Sequence, residues 1–152
     1  MPLQRTLIIF KPDCVQRRLV GQILRRFEAK GLRLAALKLM RVERALGERH
    51  YAEHRERPFF PGLIDFITGG PVVVGVLAGP DAVAVVRTML GKTNGVEAEP
   101  GTIRGDFSIS KQNNLIHGSD GTESAEREIA LWFRPEELAD YELAGEQWVI
   151  GG

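Results

Sequence analysis

The sequence predicts an α/β fold of the α+β kind, a ferredoxin-like antiparallel sheet (split βαβ) covered by helices. Apolar, β-branched runs such as "PVVVGVLAG" (71–79) indicate buried strands, and they alternate with segments whose apolar residues recur at helical spacing. The resulting order of elements is β-α-β-(αα)-β-α-β-α. A length of 152 residues suits one domain, so we expect 1–152 to form a single unit.

In the first part of the chain, strands and helices are separated by clear stop signals. "TLIIF" (Thr6–Phe10) indicates a buried strand, which ends before Pro12. Apolar residues at helical spacing predict a helix from about Val15 to Lys30, and Gly31 is a suitable residue to end it. The run 32–42 is predicted to be the second strand.

The remaining elements are shorter. Two helices are predicted at about Glu48–Arg55 and Pro61–Thr68, ahead of the strand at 71–79. Asp81 is a favourable N-cap residue for the helix that follows that strand. "NLIH" (114–117) predicts a short last strand, and a helix is expected from about Glu123 to Phe133.

No convincing helix or strand is predicted between Gly91 and Asn113. Loops of this length are usually functional. This one contains "PGTIRGDF", in which glycines flank Arg104, and glycines allow the backbone to approach a ligand closely. We therefore expect the loop to take part in function.

Composition excludes several classes of protein. Lys and Arg total 20, as do Asp and Glu, and this balance argues against bulk binding of nucleic acid. The single cysteine, Cys14, excludes an internal disulfide and fits a reducing compartment. The first residues, "MPLQRTLIIFKPD", resemble neither a signal peptide nor a membrane span. We expect a soluble, cytoplasmic protein.

Two short motifs match known patterns without their required context. "HYAEH" (His50–His54) has the H-x-x-E-H spacing of inverted zinc proteases, but no third ligand accompanies it, and a solvated helix face explains it better. "GKT" (Gly91–Thr93) resembles the end of a Walker A loop. Val86 stands where that motif needs its first glycine, so no P-loop is predicted.

Three scattered cations raise the question of a phosphate site. Lys11 ends the first strand, Arg87 lies on the apolar stripe of its helix, and Arg104 lies in the long loop. Each alone is explained as surface charge whose stem covers apolar surface. If all three elements end near one sheet edge, the cations form a phosphate clamp.

The stretch "NNLIHGSDG" (113–121) places a histidine where a strand ends and a turn begins. A lone histidine is more often structural than catalytic. Here Gly118 leaves space beside the ring of His117, Ser119 offers a hydroxyl, and the next helix supplies Glu128. A carboxylate that accepts the N–H of one ring nitrogen fixes the tautomer and leaves the other nitrogen as a nucleophile.

Several segments together resemble the nucleoside diphosphate kinase family. They are "TLIIFKPDCVQRRLVGQILRRFEAKGLRL", "HYAEHRERPFFPGLIDFITGGPVV", "PGTIRGDF", "NLIHGSDGTESAEREIALWF" and "EELADY". The resemblance covers nearly the whole chain, and "NLIHGSD" is its most specific part. It implies a phosphotransferase that passes the terminal phosphoryl group of a nucleoside triphosphate to a nucleoside diphosphate, with ping-pong kinetics and broad base and sugar tolerance.

The resemblance also implies roles for individual residues. His117 is the phosphorylated nucleophile and Glu128 holds its opposite ring nitrogen. The residues expected around them are Lys11 and Tyr51 beside the transferred phosphate, Ser119 supporting the histidine, Arg87, Thr93 and Arg104 on the phosphates, Phe59 stacking on the base, and Asn114 with Lys11 at the sugar hydroxyl. No metal ligand is expected from the protein, because Mg2+ is held through the nucleotide phosphates.

Partners follow from the same resemblance. We expect nucleoside tri- and diphosphates as substrates, a homo-oligomer that is a tetramer or a hexamer, and neither membrane nor specific nucleic acid. Two alternatives stay open at this point. One is a module of the same fold that binds nucleotide without chemistry, and the other is a binder of single-stranded nucleic acid on the sheet face, which the neutral charge disfavours.

Overall fold

The structure, a computed structural model, describes residues 3–151 and contains a four-stranded antiparallel sheet in the order β2-β3-β1-β4. The strands are β1 (Gln4–Phe10), β2 (Arg33–Met40), β3 (Val72–Gly79) and β4 (Ile116–Gly118). The helices are α1 (Pro12–Gln16), α2 (Val20–Lys30), α3 (Arg44–His50), α4 (Phe60–Ile67), α5 (Ala82–Leu90), α6 (Ile103–Phe107), α7 (Thr122–Trp132) and α8 (Gln147–Ile150). Helices cover both faces of the sheet, as the sequence predicts.

The central strand β1 shows why its sequence is a continuous apolar run. Its side chains alternate between two cores: Ile8 and Phe10 belong to one, and Leu7 and Ile9 to the other. The first core includes residues of α2 and α5, and the second includes residues of α7. A strand that is buried on both faces has no polar side to present, so period-two alternation is lost.

Two predicted helices differ from the observed ones. The helix expected from Val15 to Lys30 is two helices, because Arg18 adopts a left-handed conformation with φ 60° between α1 and α2. The helix expected at 48–55 is α3, followed by a 3₁₀ turn at Ala52–His54. Gly47 lies inside α3, where a Cβ would come within 3.3 Å of Ile67 Cγ2, so the missing side chain allows α3 to pack closely on α4.

The cap predicted at Asp81 is wrong in its chemistry. Asp81 does precede α5, but it has φ 52° and its side chain makes no capping hydrogen bond. The backbone N–H of Val83 instead donates to Oε1 of Gln4, 3.2 Å away on β1. A side chain from a distant part of the chain has replaced the local cap.

The loop between Gly91 and Asn113 contains the short helix α6, which the sequence analysis missed. Thr102 begins it and accepts a hydrogen bond on Oγ1 from the backbone N–H of Gly105 at 3.0 Å. A Cβ at Gly105 would lie 1.9 Å from the carbonyl oxygen of Glu99, so glycine is needed for this close approach. Five residues are too few to show a helical pattern in the sequence.

Within the described residues, no helix is long and apolar enough to cross a membrane.

Candidate active site

His117 lies in β4, the shortest strand, where it is paired with Ile9 of β1. Just before it, Leu115 has φ 75°, and the N–H of Ile116 donates to the carbonyl oxygen of Asn114 at 2.9 Å. This is a γ-turn with a positive φ, a strained conformation for a branched residue. The surrounding fold must hold it in place.

The backbone on both sides of Leu115 supplies that support. Its N–H donates to Oδ2 of Asp13 at 3.0 Å, and its carbonyl oxygen accepts from the N–H of Lys11 at 2.8 Å. Its side chain is fully buried in the core beside α2 and α5. Strand β4 therefore starts at a position set by tertiary contacts rather than by local propensity.

Glu128 of α7 holds one nitrogen of the His117 ring. Nε2 of His117 lies 2.8 Å from Oε1 of Glu128, and the hydroxyl of Ser119 donates to the same oxygen at 2.7 Å. Burial alone would raise the pKa of Glu128, but these two hydrogen bonds and the charge of His117 outweigh it and hold the pKa below its usual value. An ionised carboxylate accepts only, so Nε2 carries the proton and Nδ1 keeps its lone pair.

Ser119 connects this pair to the centre of the sheet. It is fully buried, and its Oγ accepts the backbone N–H of Leu7 at 3.2 Å while donating to Glu128. The hydroxyl thus has a partner for both its donor and its acceptor capacity. The predicted supporting position of Ser119 beside the histidine agrees with this geometry.

A cavity of about 260 Å³ opens in front of His117 and is lined mainly by polar side chains. Among the predicted residues, those that line it are Lys11, Tyr51, Arg87, Thr93, Arg104, Asn114, His117 and Glu128. Ligand pockets for whole drug-sized molecules are usually ~300–1,000 Å³. The cavity suits a phosphate chain better than a complete nucleotide.

Lys11 and Asn114 meet on the floor of this cavity. Nζ of Lys11 donates to Oδ1 of Asn114 at 2.9 Å, and Nδ2 of Asn114 donates to the carbonyl oxygen of Thr93 at 3.1 Å. Burial, with a smaller contribution from the nearby charge of Arg104, lowers the pKa of Lys11 to about 8. The ammonium group is therefore partly stripped of water before any ligand arrives.

Arg104 is more deeply integrated than a loop cation. Only 4% of it is exposed, and its guanidinium donates to three backbone carbonyl oxygens: Asn114 at 3.2 Å, Gly91 at 3.0 Å and Ile116 at 2.6 Å. It joins the two ends of the long loop to β4. A guanidinium has five N–H donors, so two stay free to face the cavity.

Arg87 is exposed, so its predicted place on the apolar stripe of α5 is wrong. Its nearest polar contact is a long one, from Nη1 to the carbonyl oxygen of Gly118 at 3.4 Å. The predicted convergence of Lys11, Arg87 and Arg104 on one cavity is correct.

Phe59 and Tyr51 lie at the same side of the cavity but differ in depth. Burial raises the pKa of Tyr51 to about 12, so its phenol stays protonated. Phe59 is 52% exposed and lies outside the cavity lining, next to His54, whose ring centroid is 5.4 Å away. His54 itself lines the cavity, so Phe59 is at its rim.

The sequence analysis overlooked His50 and Trp132. His50 belongs to "HYAEH", which was assigned to a solvated helix face, yet it is only 4% exposed. Its ring contacts that of His117 at a centroid distance of 4.7 Å, with the planes 83° apart. The indole N–H of Trp132 donates to Nδ1 of His50 at 3.1 Å. No local pattern in the sequence indicates this burial.

His50, His117 and Glu128 have potential metal-ligating atoms within 4.8 Å of one another. The hydrogen bond from Trp132 argues against a metal centre. Since an indole only donates, Nδ1 of His50 must offer its lone pair to it, and the neutral ring then carries its proton on Nε2. Neither nitrogen has a free lone pair for a metal. In this arrangement His50, the first histidine of the H-x-x-E-H pattern, has no lone pair to offer a metal.

Comparison with known proteins shows the family of the chain. The sequence profile described as nucleoside diphosphate kinase matches residues 4–138. A nucleoside diphosphate kinase of Thermomicrobium roseum is 56% identical over 149 residues, 98% of this chain and 100% of that protein, and one of Thermus thermophilus is 63% identical over 136 residues, 90% of this chain and 99% of that protein. Among solved structures, the halophilic nucleoside diphosphate kinase of Halobacterium salinarum in complex with CDP has a TM-score of 0.94 and 48% identity, covering 96% of this chain and 97% of that chain.

These similarities define a phosphotransferase with an α+β fold, so the predicted enzyme class and fold class are confirmed. The chain belongs to the nucleoside diphosphate kinase family. The likeness extends over nearly the whole chain, as the sequence motifs indicate.

The environment of Arg104 predicts that this residue stabilises the fold while Arg87 does not. Arg104→Ala leaves three carbonyl oxygens without their charged donor, which we expect to cost about 3 kcal/mol of unfolding free energy and roughly 6–12 °C in Tm. Arg87→Ala, the matched control on the same cavity, should keep Tm within about 2 °C. Thermal unfolding followed by circular dichroism measures both. Equal Tm values for the two variants would contradict a structural role for Arg104.

Proposed function

We propose that the protein transfers the terminal phosphoryl group of a nucleoside triphosphate to a nucleoside diphosphate through a phosphohistidine on Nδ1 of His117. The observation that carries this proposal is the 2.8 Å hydrogen bond from Nε2 of His117 to Glu128. It leaves Nδ1 with a lone pair beside a cavity whose lining includes the cations Lys11, Arg87 and Arg104. A free nucleophile next to phosphate-binding charge is what phosphoryl transfer requires.

In the first half-reaction, the lone pair of Nδ1 forms a bond to the terminal phosphorus, and the bond from that phosphorus to the bridging oxygen breaks. The electron pair of the broken bond leaves with the nucleoside diphosphate. Positive charge develops on the imidazole, and Glu128 stabilises it through Nε2–H. A second diphosphate then takes the phosphoryl group by the reverse steps, so one cavity serves both substrates in turn.

The cations of the cavity stabilise the outer phosphate oxygens, where charge accumulates in a loose transition state. Within the described residues, the hydrogen bond of Arg87 is the long one to Gly118, and the three carbonyl contacts of Arg104 leave two of its five donors for a ligand. Lys11 and Tyr51 are assigned to the transferred phosphoryl group, and Thr93 to the leaving phosphates. Lys11, Tyr51 and Arg104 are already partly desolvated by burial, so little reorganisation of these three groups is needed when the substrate binds.

The nucleoside is assigned to the rim of the cavity. The cavity holds about 260 Å³, which leaves the base outside, where Phe59 presents an exposed aromatic face. Stacking on such a face does not distinguish one base from another, since every base has a π-face. Asn114, with Lys11, is assigned to the sugar hydroxyl. We therefore propose broad tolerance for the base and the sugar.

Magnesium fits this site as a companion of the nucleotide phosphates. It prefers oxygen ligands and keeps few protein contacts in phosphoryl-transfer sites. Of the carboxylates that line the cavity, Glu53 pairs with Arg127 and Glu128 with His117, while Asp120 takes part in no ion pair within the described part of the chain. The phosphates would hold the ion, as expected from the sequence, and Asp120 is the one carboxylate of the described lining that would be available to add to that expectation; the bound ion would neutralise phosphate charge.

The assembly and location follow from family membership. We propose that the protein is a homo-oligomer, a tetramer or a hexamer, that it works in the cytoplasm, and that the chain folds as one domain. Mass measurement by light scattering tests the assembly, and a monomer at micromolar concentration would reject it.

The first test of function is phosphorylation of His117. Incubation with γ-phosphate-labelled ATP should give a phosphoprotein that is labile in acid and stable in base, because a P–N bond is hydrolysed readily in acid. His117→Ala should take up no label, whereas His54→Ala, a histidine at the same cavity, should label normally. If the parent binds ATP but takes no label, the protein is a nucleotide-binding module instead.

Glu128→Gln should slow phosphoryl transfer while preserving nucleotide binding. The amide can still accept from Nε2–H, but it has no charge to stabilise the imidazolium that develops. Loss of such a partner usually costs about 10-fold to 100-fold in rate. Single-turnover labelling measures this, with Glu126→Gln, an exposed glutamate on the same helix, as the control. Equal rates in the two variants would remove Glu128 from the mechanism.

Binding of ADP should weaken as the pH rises through about 8. Lys11 is an ammonium below its pKa of about 8 and a neutral amine above it, so the free protein loses a phosphate-binding charge well below the usual range of lysine. We expect the Kd of ADP to rise roughly 10-fold between about pH 7.5 and 9.5. Titration calorimetry measures it, and Lys11→Met should bind weakly with no such step. A parent curve flat over this range would contradict the assignment.

A further inference from the structure

A second histidine touches the nucleophile and takes no part in the steps described above. His50, the last residue of α3, is buried, and its ring stands at 83° to that of His117 with centroids 4.7 Å apart. On its other side, Nδ1 accepts the indole N–H of Trp132 at 3.1 Å. His50 therefore lies between the reacting ring and the core beneath the sheet.

The contact with Trp132 fixes the proton of His50. An indole N–H only donates, so Nδ1 of His50 must carry a lone pair and the single ring proton sits on Nε2. A second proton, on Nδ1, would place two N–H groups head to head. His50 is thus held as one neutral tautomer by a side chain that has no other polar role.

The surroundings of His50 also favour its neutral form. Burial is the main cause that lowers the pKa of His50 to about 3, and the nearby charge of His117 adds to it. Arg127 and Lys11 also disfavour the charged ring, and only Glu128 favours it. Tyr51, whose ring is 4.7 Å away at 78°, stays an uncharged phenol. His50 stays neutral at physiological pH.

Neutrality matters because of what His117 must do. A single hydrogen bond to Glu128 constrains Nε2, but it leaves the ring some freedom to rotate about its Cβ–Cγ bond. A perpendicular ring in contact restricts this rotation. When positive charge develops on His117 during transfer, a cation at this distance would oppose it, and a neutral ring does not.

We propose that His50 is a positioning residue for His117: Trp132 holds it as the neutral Nε2–H tautomer, and its perpendicular ring keeps the plane of His117 in line with Glu128. The inference rests on the proposed phosphohistidine mechanism. Trp132 then affects catalysis without touching the substrate, because it orients His50 and His50 orients His117.

The experiment combines nitrogen NMR with kinetics on the complete protein. The chain has 3 histidines, so histidine-selective ¹⁵N labelling gives an assignable two-bond ¹H–¹⁵N spectrum that reports each tautomer directly. The variants are Trp132→Phe, which removes only the N–H donor, and the pair His50→Asn and His50→Ala. Asn keeps an acceptor near Nδ1 for Trp132, whereas Ala does not. Comparing these two variants therefore separates the effect of the Trp132 hydrogen bond on stability from the effect of the His50 ring on the orientation of His117.

In the parent, His50 should show one Nε2–H tautomer and no titration between about pH 5 and 8. In Trp132→Phe, which removes the donor but keeps the burial, His50 should stay neutral and show a mixture of the two tautomers. His50→Asn and His50→Ala should both lower kcat by about 10-fold, with the nucleotide KM within about twofold, as expected for a group that orients a catalytic side chain. Both should show His117 as a mixture of tautomers. His50→Asn should unfold at a higher temperature than His50→Ala.

Two results would overturn the inference. One is a parent His50 that titrates near its ordinary pKa of about 6.5. The other is a His50→Asn variant with the kcat and the His117 nitrogen shifts of the parent, which would make the pair ordinary core packing. Failure of the proposed function looks different: the parent itself would take no label from ATP, whatever the tautomer of His50.

Discussion

The hydrogen bond between Nε2 of His117 and Glu128 is the constraint on which the rest of the site depends. It joins β4, a strand of only three residues, to helix α7, and it decides which ring nitrogen is available for chemistry. Ser119 binds the same carboxylate oxygen and the backbone of the central strand, so the pair is anchored to the most buried part of the sheet. Without this bond the histidine would have two tautomers, and only one has a free Nδ1.

Holding the site in this form requires a strained backbone conformation and two like charges close together. Leu115 is held at a positive φ by hydrogen bonds to Asp13 of α1 and from Lys11, the residue between β1 and α1, and this strained residue lies two positions before His117. Lys11 and Arg104 are buried cations that repel each other, stabilised by backbone and amide oxygens. Desolvated charge of this kind binds phosphate more strongly than surface charge does, because the cavity has a lower effective dielectric constant than water.

The long loop between α5 and β4 also helps to hold the site in place. Its helix α6 carries Arg104, whose three carbonyl contacts tie the loop to α5 and β4. Gly105 allows the turn before that helix to close. The loop thus supplies a cation that lines the cavity and at the same time fixes the backbone that precedes His117.

By itself, the sequence determined the fold class, the family and eight of the residues that line the cavity. Apolar runs predict the strands of the sheet, and "NLIHGSD" followed by a glutamate on the next helix predicts a histidine site and the family, since these signals are local in the chain. Only the tertiary structure decided how those residues are used. The burial of His50, its contact with Trp132 82 positions away, and the replacement of the Asp81 cap by Gln4 all join residues that are distant in the chain. Such contacts leave no periodic or compositional trace, because they arise when separate elements pack, and packing is specified by the whole fold.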